Sequence, residues 1–313
     1  MNIHRKYSLC HSAIAVLVIA FFGAVTISAA NLPDPVTTDP VVDPAHPPRM
    51  TSLKLPSGDT KLNALLYLAG GAGRHPVVVM FHGYPGNEKN LDLAQAIRRA
   101  GFHVLWFNYR GSWGSGGTFS FTNALEDARH AIEFVRSKDA GEKYGFDAQR
   151  LAVVGHSFGG WLAFMLGAED PQIGAVVGLA SWNAVVEVNT TEGDPKKRAA
   201  KITELDEFDP GSGPLRGNSA AGIYEEIAAH RVDYDYFRKA DALKTRPLLI
   251  IAATRDVDQP LPAYHDPLVT ALRLVQAPRV EVLLYDDDHP FSAHRLALAK
   301  KVTQWLTAAL PRQ

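Results

Sequence analysis

The sequence predicts an α/β fold: a mostly parallel sheet of about eight strands, with helices on both faces and a lid insertion over one end. Three observations predict it. Short apolar runs of strand length alternate with helical patterns from residue 77 onward. One of those runs, 151–154, ends in Gly155-His156-Ser157-Phe158-Gly159, a G-x-S-x-G, and helix formers follow over 161–167. A polar stretch, 182–240, then interrupts the alternation.

Ahead of the fold lie two segments of different character. Arg5 and Lys6, an apolar run over 13–25 and Ser28-Ala29-Ala30 have the form of a signal peptide, 1–30, cut after Ala30. An uncleaved membrane anchor is the alternative, because 11–30 is nearly long enough to span. The single cysteine, Cys10, precedes the apolar run and suits neither a disulfide nor a lipid attachment. Residues 31–49 carry prolines at 33, 35, 40, 44, 47 and 48, and read as a Pro-rich tether.

The remainder, 50–313, supplies the elements in order. Strands are expected over 51–55 and 62–69, joined by the turn Pro56-Ser57-Gly58-Asp59. The apolar run 77–81 is a buried strand, followed by a helix over 87–100 that Gly101 stops. A strand over 102–108, a Gly-rich loop over 110–117 and a helix over 122–137 come next. After the G-x-S-x-G unit, strands are expected over 175–180, 247–252 and 280–285. Helices around 268–275 and over 296–310 complete the set. Inside 182–240, weak helical patterns over 196–205 and 223–229 favour a lid over a structureless loop. Its aromatics Trp182, Phe208, Tyr224, Tyr234, Tyr236 and Phe237 either line a substrate pocket or pin the insertion to the sheet.

Composition limits the function. A content of 46% hydrophobic and 21% charged residues is that of an ordinary globular chain, and a formal net charge of −1 offers no nucleic-acid surface. Removing 1–30 takes two cations and no acid, which leaves 30 cations against 33 acids, a net −3.

The chemistry starts at Ser157. On a sharp strand-to-helix turn its hydroxyl stands clear of the sheet, while flanking glycines let the backbone pass close to its neighbours. A serine hydroxyl needs a base, and the base needs an acid that fixes its tautomer. The chain offers both past predicted strands: Asp256 in ATRDVDQP and His289 in LYDDDHPFS. Asp258 is the alternative acid, and His294 the alternative base. Asp286, Asp287 and Asp288 are expected to be a solvated loop rather than a metal site, and His156 a packing residue of the turn. The developing oxyanion needs two backbone N–H donors. Phe158 supplies one. Tyr84, in the loop after 77–81, supplies the other, because Pro85 has no N–H to give.

FHGYPGN, GHSFGG, TRDVDQP and DDDHPFS together resemble, in that order, the oxyanion, nucleophile, acid and histidine motifs of the α/β-hydrolase superfamily. NYRGSWGSGG before a helix is similar to the prolyl oligopeptidase catalytic domain and to dienelactone-hydrolase-like and feruloyl-type esterases. The resemblance implies acyl transfer to water, with Ser157 as nucleophile, His289 as base and then acid, and Asp256 orienting His289. It implies no metal and no organic cofactor. Prolyl oligopeptidases carry a large β-propeller before the catalytic domain, whereas about fifty tether and strand residues stand before His75 here, so a small ester is the expected substrate and a short peptide the alternative. Ala253 stands where the family often has Gly in the acid loop. A catalytically silent binding protein of the envelope is the reading from another class. The expected location is secreted or periplasmic, with no nucleic-acid partner and no stable membrane association after cleavage.

Overall fold

The computed structural model describes residues 34–208 and 213–311, apart from the Phe208 side chain. The expected signal peptide, Cys10 and the start of the expected tether lie outside them. Among the described residues there are eight strands: β1 (Arg49–Ser57), β2 (Thr60–Leu68), β3 (His75–Phe81), β4 (His103–Phe107), β5 (Phe146–His156), β6 (Ala175–Leu179), β7 (Leu248–Ala253) and β8 (Val280–Tyr285). They form one sheet in the order β1-β2-β4-β3-β5-β6-β7-β8. β1 and β2 pair antiparallel, as do β2 and β4, and every pairing from β4 to β8 is parallel.

The expected α/β architecture is therefore present, and side-chain alternation explains its two layers. Along β3, Val77, Val79 and Phe81 face one core while Val78 and Met80 face the other. β5 and β7 divide in the same way, with Leu151, Val153, Leu248 and Ile250 opposite Ala152, Val154, Leu249 and Ile251. Helices Phe121–Arg136, Phe158–Glu169 and Asp266–Leu274 cover the first face. Helices Leu91–Arg99 and Arg295–Ala309 cover the second. Helix Phe158–Glu169 is buried on all sides from Phe158 to Gly167, which accounts for its lack of a polar stripe.

Boundaries differ where local chemistry intervenes. The helix expected from residue 87 begins at Leu91, because Asn90 takes a left-handed conformation (φ 53°) at its N-cap. β5 starts at Phe146, five residues before its apolar run, and its pairing with β3 shifts register between Pro76 and Val77. Between β6 and β7 the chain forms helices Val185–Thr191, Pro195–Phe208 and Ala220–Ala229. The second and third match the weak helical patterns there. Residues 34–48 lie against the domain: Val36 packs on the second core, Asp34 pairs with Lys300 at 3.5 Å, and the His46 carbonyl accepts from Gly71 N. No helix among the described residues is long and apolar enough to cross a membrane.

Candidate active site

Ser157 stands at the carboxyl end of β5, near the centre of the sheet, in a backbone conformation (φ 56°, ψ −119°) that non-glycine residues rarely adopt. The turn is possible only with glycine at its flanks. A Cβ at Gly155 would lie 1.8 Å from the Gly159 carbonyl oxygen, and one at Gly159 would lie 2.1 Å from that of Phe81. Ser157 N donates to the Leu179 carbonyl at 2.9 Å, and the Ser157 carbonyl accepts from Trp182 N at 3.0 Å. The elbow is thus tied to the end of β6 and to the segment just after it.

The ends of β7 and β8 bring the other two candidates together. His289 Nδ1 and Asp256 Oδ2 are 2.7 Å apart. Asp256 is 6% exposed, and its Oδ1 accepts from the amides of Asp258 and Gln259 at 2.9 and 2.8 Å. Both carboxylate oxygens are thereby engaged, and His289 receives a fixed partner. Asp258 is exposed and holds no hydrogen bond to His289. Asp256, Asp258 and His289 each bring a ligand atom within 4.8 Å of the others, but the Asp256 oxygens and His289 Nδ1 already serve one another and the loop amides. Ser157 and His289 line the same cavity. Among the described residues no hydrogen bond joins Ser157 Oγ to His289.

Two groups shape the histidine loop in ways the sequence does not reveal. His156 Nε2 lies 3.0 Å from the His289 carbonyl oxygen, and the two rings are 4.6 Å apart. Burial, and secondarily the nearby His289, push His156 down to about 3, so it is neutral and donates through Nε2–H. The expected packing residue therefore also anchors the histidine loop. The three acids of that loop point to different partners. Asp286 bonds Arg255, Asp288 accepts from Ser292 N, and Asp287 is buried against His294 Nδ1 at 2.8 Å. Burial acts against the Asp287 carboxylate, but the His294 hydrogen bond and backbone donors outweigh it and hold it at about 2.

The candidate oxyanion donors flank Ser157. Phe158 opens its helix, so its N–H has no acceptor within that helix. Tyr84 lies on the loop after β3, which the Tyr109 hydroxyl fixes by donating to the His82 carbonyl at 2.7 Å. A Cβ at Gly83 would sit 3.1 Å from Ser157 Cβ, so this loop passes directly beside the elbow.

The cavity holding Ser157 measures about 70 Å³ and is lined also by Tyr84, Trp182, Glu187, Lys201, Glu204 and Asp258. A larger hollow of about 630 Å³ lies over β1, β2 and β4 and holds none of the candidate residues. Of the aromatics in the insertion, Trp182 reaches the cavity. Tyr224 bonds Thr191, Tyr236 packs on Phe164, Phe237 stacks edge-on to Tyr236, and the Tyr234 carbonyl accepts from Trp161 Nε1 at 2.7 Å. Tyr234 and Tyr236 thereby pin the insertion to helix Phe158–Glu169, whereas these contacts of Tyr224 and Phe237 stay within the insertion.

Glu187 is a site residue that the sequence reading missed. It is 8% exposed, and its Oε1 accepts from Trp182 Nε1 and from the Tyr264 hydroxyl, each at 2.7 Å. Burial raises its carboxyl from 4.5 to about 7, against the opposing effects of those two hydrogen bonds and of Lys201. An acid set among Val185, Val186 and Val188 was the available signal.

Comparison with known proteins agrees with this architecture. The BD-FAE family profile matches residues 65–193, less than half of the chain. The quorum-quenching protein AidA of Acinetobacter baumannii is 32% identical over 127 residues, covering 39% of this chain and 40% of AidA. The chain thus spans less than half the length of the curated relatives it matches first. Among solved structures, Est1E from Butyrivibrio proteoclasticus superposes with a TM-score of 0.62 at 16% identity, covering 83% of this chain and 99% of Est1E. The Pyrococcus horikoshii acylaminoacyl peptidase gives 0.62 at 17% identity, covering 85% of this chain and 42% of the peptidase. With its eight-stranded sheet, the sharp strand-to-helix turn at Ser157 and these likenesses, the chain has the fold of the α/β-hydrolase superfamily.

Proposed function

We propose that this protein is a serine hydrolase that cleaves a small carboxylic ester through an acyl-enzyme. One observation carries the reading: Ser157 and His289, past the ends of β5 and β8, line a single small cavity, and Asp256, past the end of β7, lies 2.7 Å from His289 Nδ1. In this mechanism Asp256 keeps the proton of His289 on Nδ1, leaving Nε2 as the base. Ser157 Oγ adds to the ester carbonyl carbon while Nε2 takes its proton. The carbonyl oxygen becomes an oxyanion against the Phe158 and Tyr84 amides. Collapse expels the alcohol, which His289 protonates, and water repeats the sequence to release the acid.

A cavity of about 70 Å³ favours short acyl groups. Similarity to Est1E, a structure also known with ferulic acid bound, supports an ester, and similarity to an acylaminoacyl peptidase keeps short peptides as the second reading. The reading includes export, with cleavage after Ala30 to a secreted or periplasmic form. A panel of p-nitrophenyl esters of rising chain length, set beside aminoacyl-p-nitroanilides, tests the substrate class. Short esters should turn over fastest, and faster cleavage of the anilides would reject the ester reading.

A further inference from the structure

The catalytic cavity contains a buried acid that the proposed mechanism does not use. Glu187 Oε1 is occupied by Trp182 and Tyr264, while its Oε2 is buried and has no hydrogen-bond partner among the described residues. A carboxylate oxygen left in this state is costly unless something else pairs with it. The charges around it have one sign in excess. Glu187, Glu204 and Asp258 line the cavity as acids, and Lys201 is the cation beside them. The Lys201 ammonium is committed to Glu204 at 2.7 Å. Among the remaining groups, Tyr264 and Tyr236 are held protonated and neutral by burial, and His289 is engaged by Asp256.

We infer that the substrate carries an ammonium group within a few atoms of its ester carbonyl, and that Glu187 Oε2 is the counter-ion that selects it. A protonated amine supplies both what Oε2 lacks, an N–H donor, and the charge the cavity lacks. A neutral hydroxyl supplies only the donor. The small cavity limits the reach between ester and amine, so the class is short amino esters rather than long cationic lipids. This inference rests on the serine-hydrolase reading. Glu187 is a specificity-determining group in it and takes no proton from the reacting atoms.

The test compares kcat/KM for esters matched in shape. On the acyl side, ethyl 3-aminopropanoate is set against ethyl butanoate and ethyl 3-hydroxypropanoate. On the alcohol side, 2-(dimethylamino)ethyl butanoate is set against 3-methylbutyl butanoate. At pH 7.5 the wild-type protein should favour the ammonium member of at least one pair by about tenfold or more, and Glu187→Gln should reduce that ratio to near one. In the wild-type protein the preference should grow as pH rises through about 7, where Glu187 ionises, so the inference stays falsifiable even if the variant does not fold. No ammonium preference in either pair, an equal preference for the hydroxyl ester, or a ratio unchanged in Glu187→Gln would overturn it. Fluorophosphonate labelling of wild-type Ser157, run alongside, separates the two failures: a labelled protein without the preference rejects this inference alone, and an unlabelled one rejects the hydrolase reading beneath it.

Discussion

Glu187→Gln should stabilise the protein, and by an amount that depends on pH. The carboxyl is raised from 4.5 to about 7 by burial, so the folded state holds its proton more tightly than the unfolded state. Its contribution to stability is complete below about 4.5 and is lost as pH rises through 7. At ~1.4 kcal/mol per unit, the shift corresponds to about 3 kcal/mol at pH 8 and to about 1 kcal/mol at pH 5. Glutamine has nearly the same shape, still accepts from Trp182 and Tyr264 through its oxygen, and carries no charge to desolvate. Urea unfolding at the two pH values measures the difference. The gain for Glu187→Gln over wild type should be about 2 kcal/mol larger at pH 8, visible in a thermal scan as several degrees of Tm. An equal gain at both pH values, or a variant less stable than wild type at pH 8, would refute the account of this carboxyl as a buried charge without a partner.

Asp256→Asn should leave the fold intact but lose the fixed tautomer of His289, lowering kcat by about 10⁴, as in the analogous serine-protease substitution. Asp258→Asn should be mild, and kcat measured for both would show a reversed order if Asp258 were the orienting acid. His156→Ala removes the hydrogen bond to the His289 carbonyl and should lower kcat by about tenfold or more with little change in KM. A KM effect with kcat unchanged would mean that His156 does not position the histidine loop. N-terminal sequencing of the mature protein should begin at or near Asn31, whereas an intact Met1 on membrane-bound protein would favour the anchor.

How much of this was legible depended on whether the signal was local. The central strands were readable because Val77–Phe81-type runs of β-branched and aromatic residues have one length and one purpose in a covered parallel sheet. The elbow was readable because its glycines and serine occupy five consecutive positions. The candidate acid and histidine loops stood out because each follows a run of strand length. By contrast, helix Lys138–Tyr144 is short and mostly polar, with no apolar stripe to reveal it. The start of β5 was missed because Asp147, Gln149 and Arg150 interrupt the alternation of that strand. His156 and His289 are 133 residues apart, and Glu187 and Tyr264 are 77 apart. No spacing rule connects such pairs, and only the packed sheet brings them together. The insertion's aromatics could line a pocket or pin a lid on sequence grounds alone. Trp182 reaches the cavity because it follows β6 by only three residues, while Tyr234 and Tyr236 come later and pack beneath the insertion.

The central claim is that Ser157 is an activated nucleophile. Incubating the full chain with a fluorophosphonate and mapping the adduct by mass spectrometry tests it in one step. The account predicts rapid, stoichiometric labelling on Ser157 in the wild-type protein, very slow labelling in His289→Ala, and none at that position in Ser157→Ala. A wild-type protein that stays unlabelled, or labels on another residue while Ser157 remains free, would contradict it and favour a silent hydrolase fold used for binding.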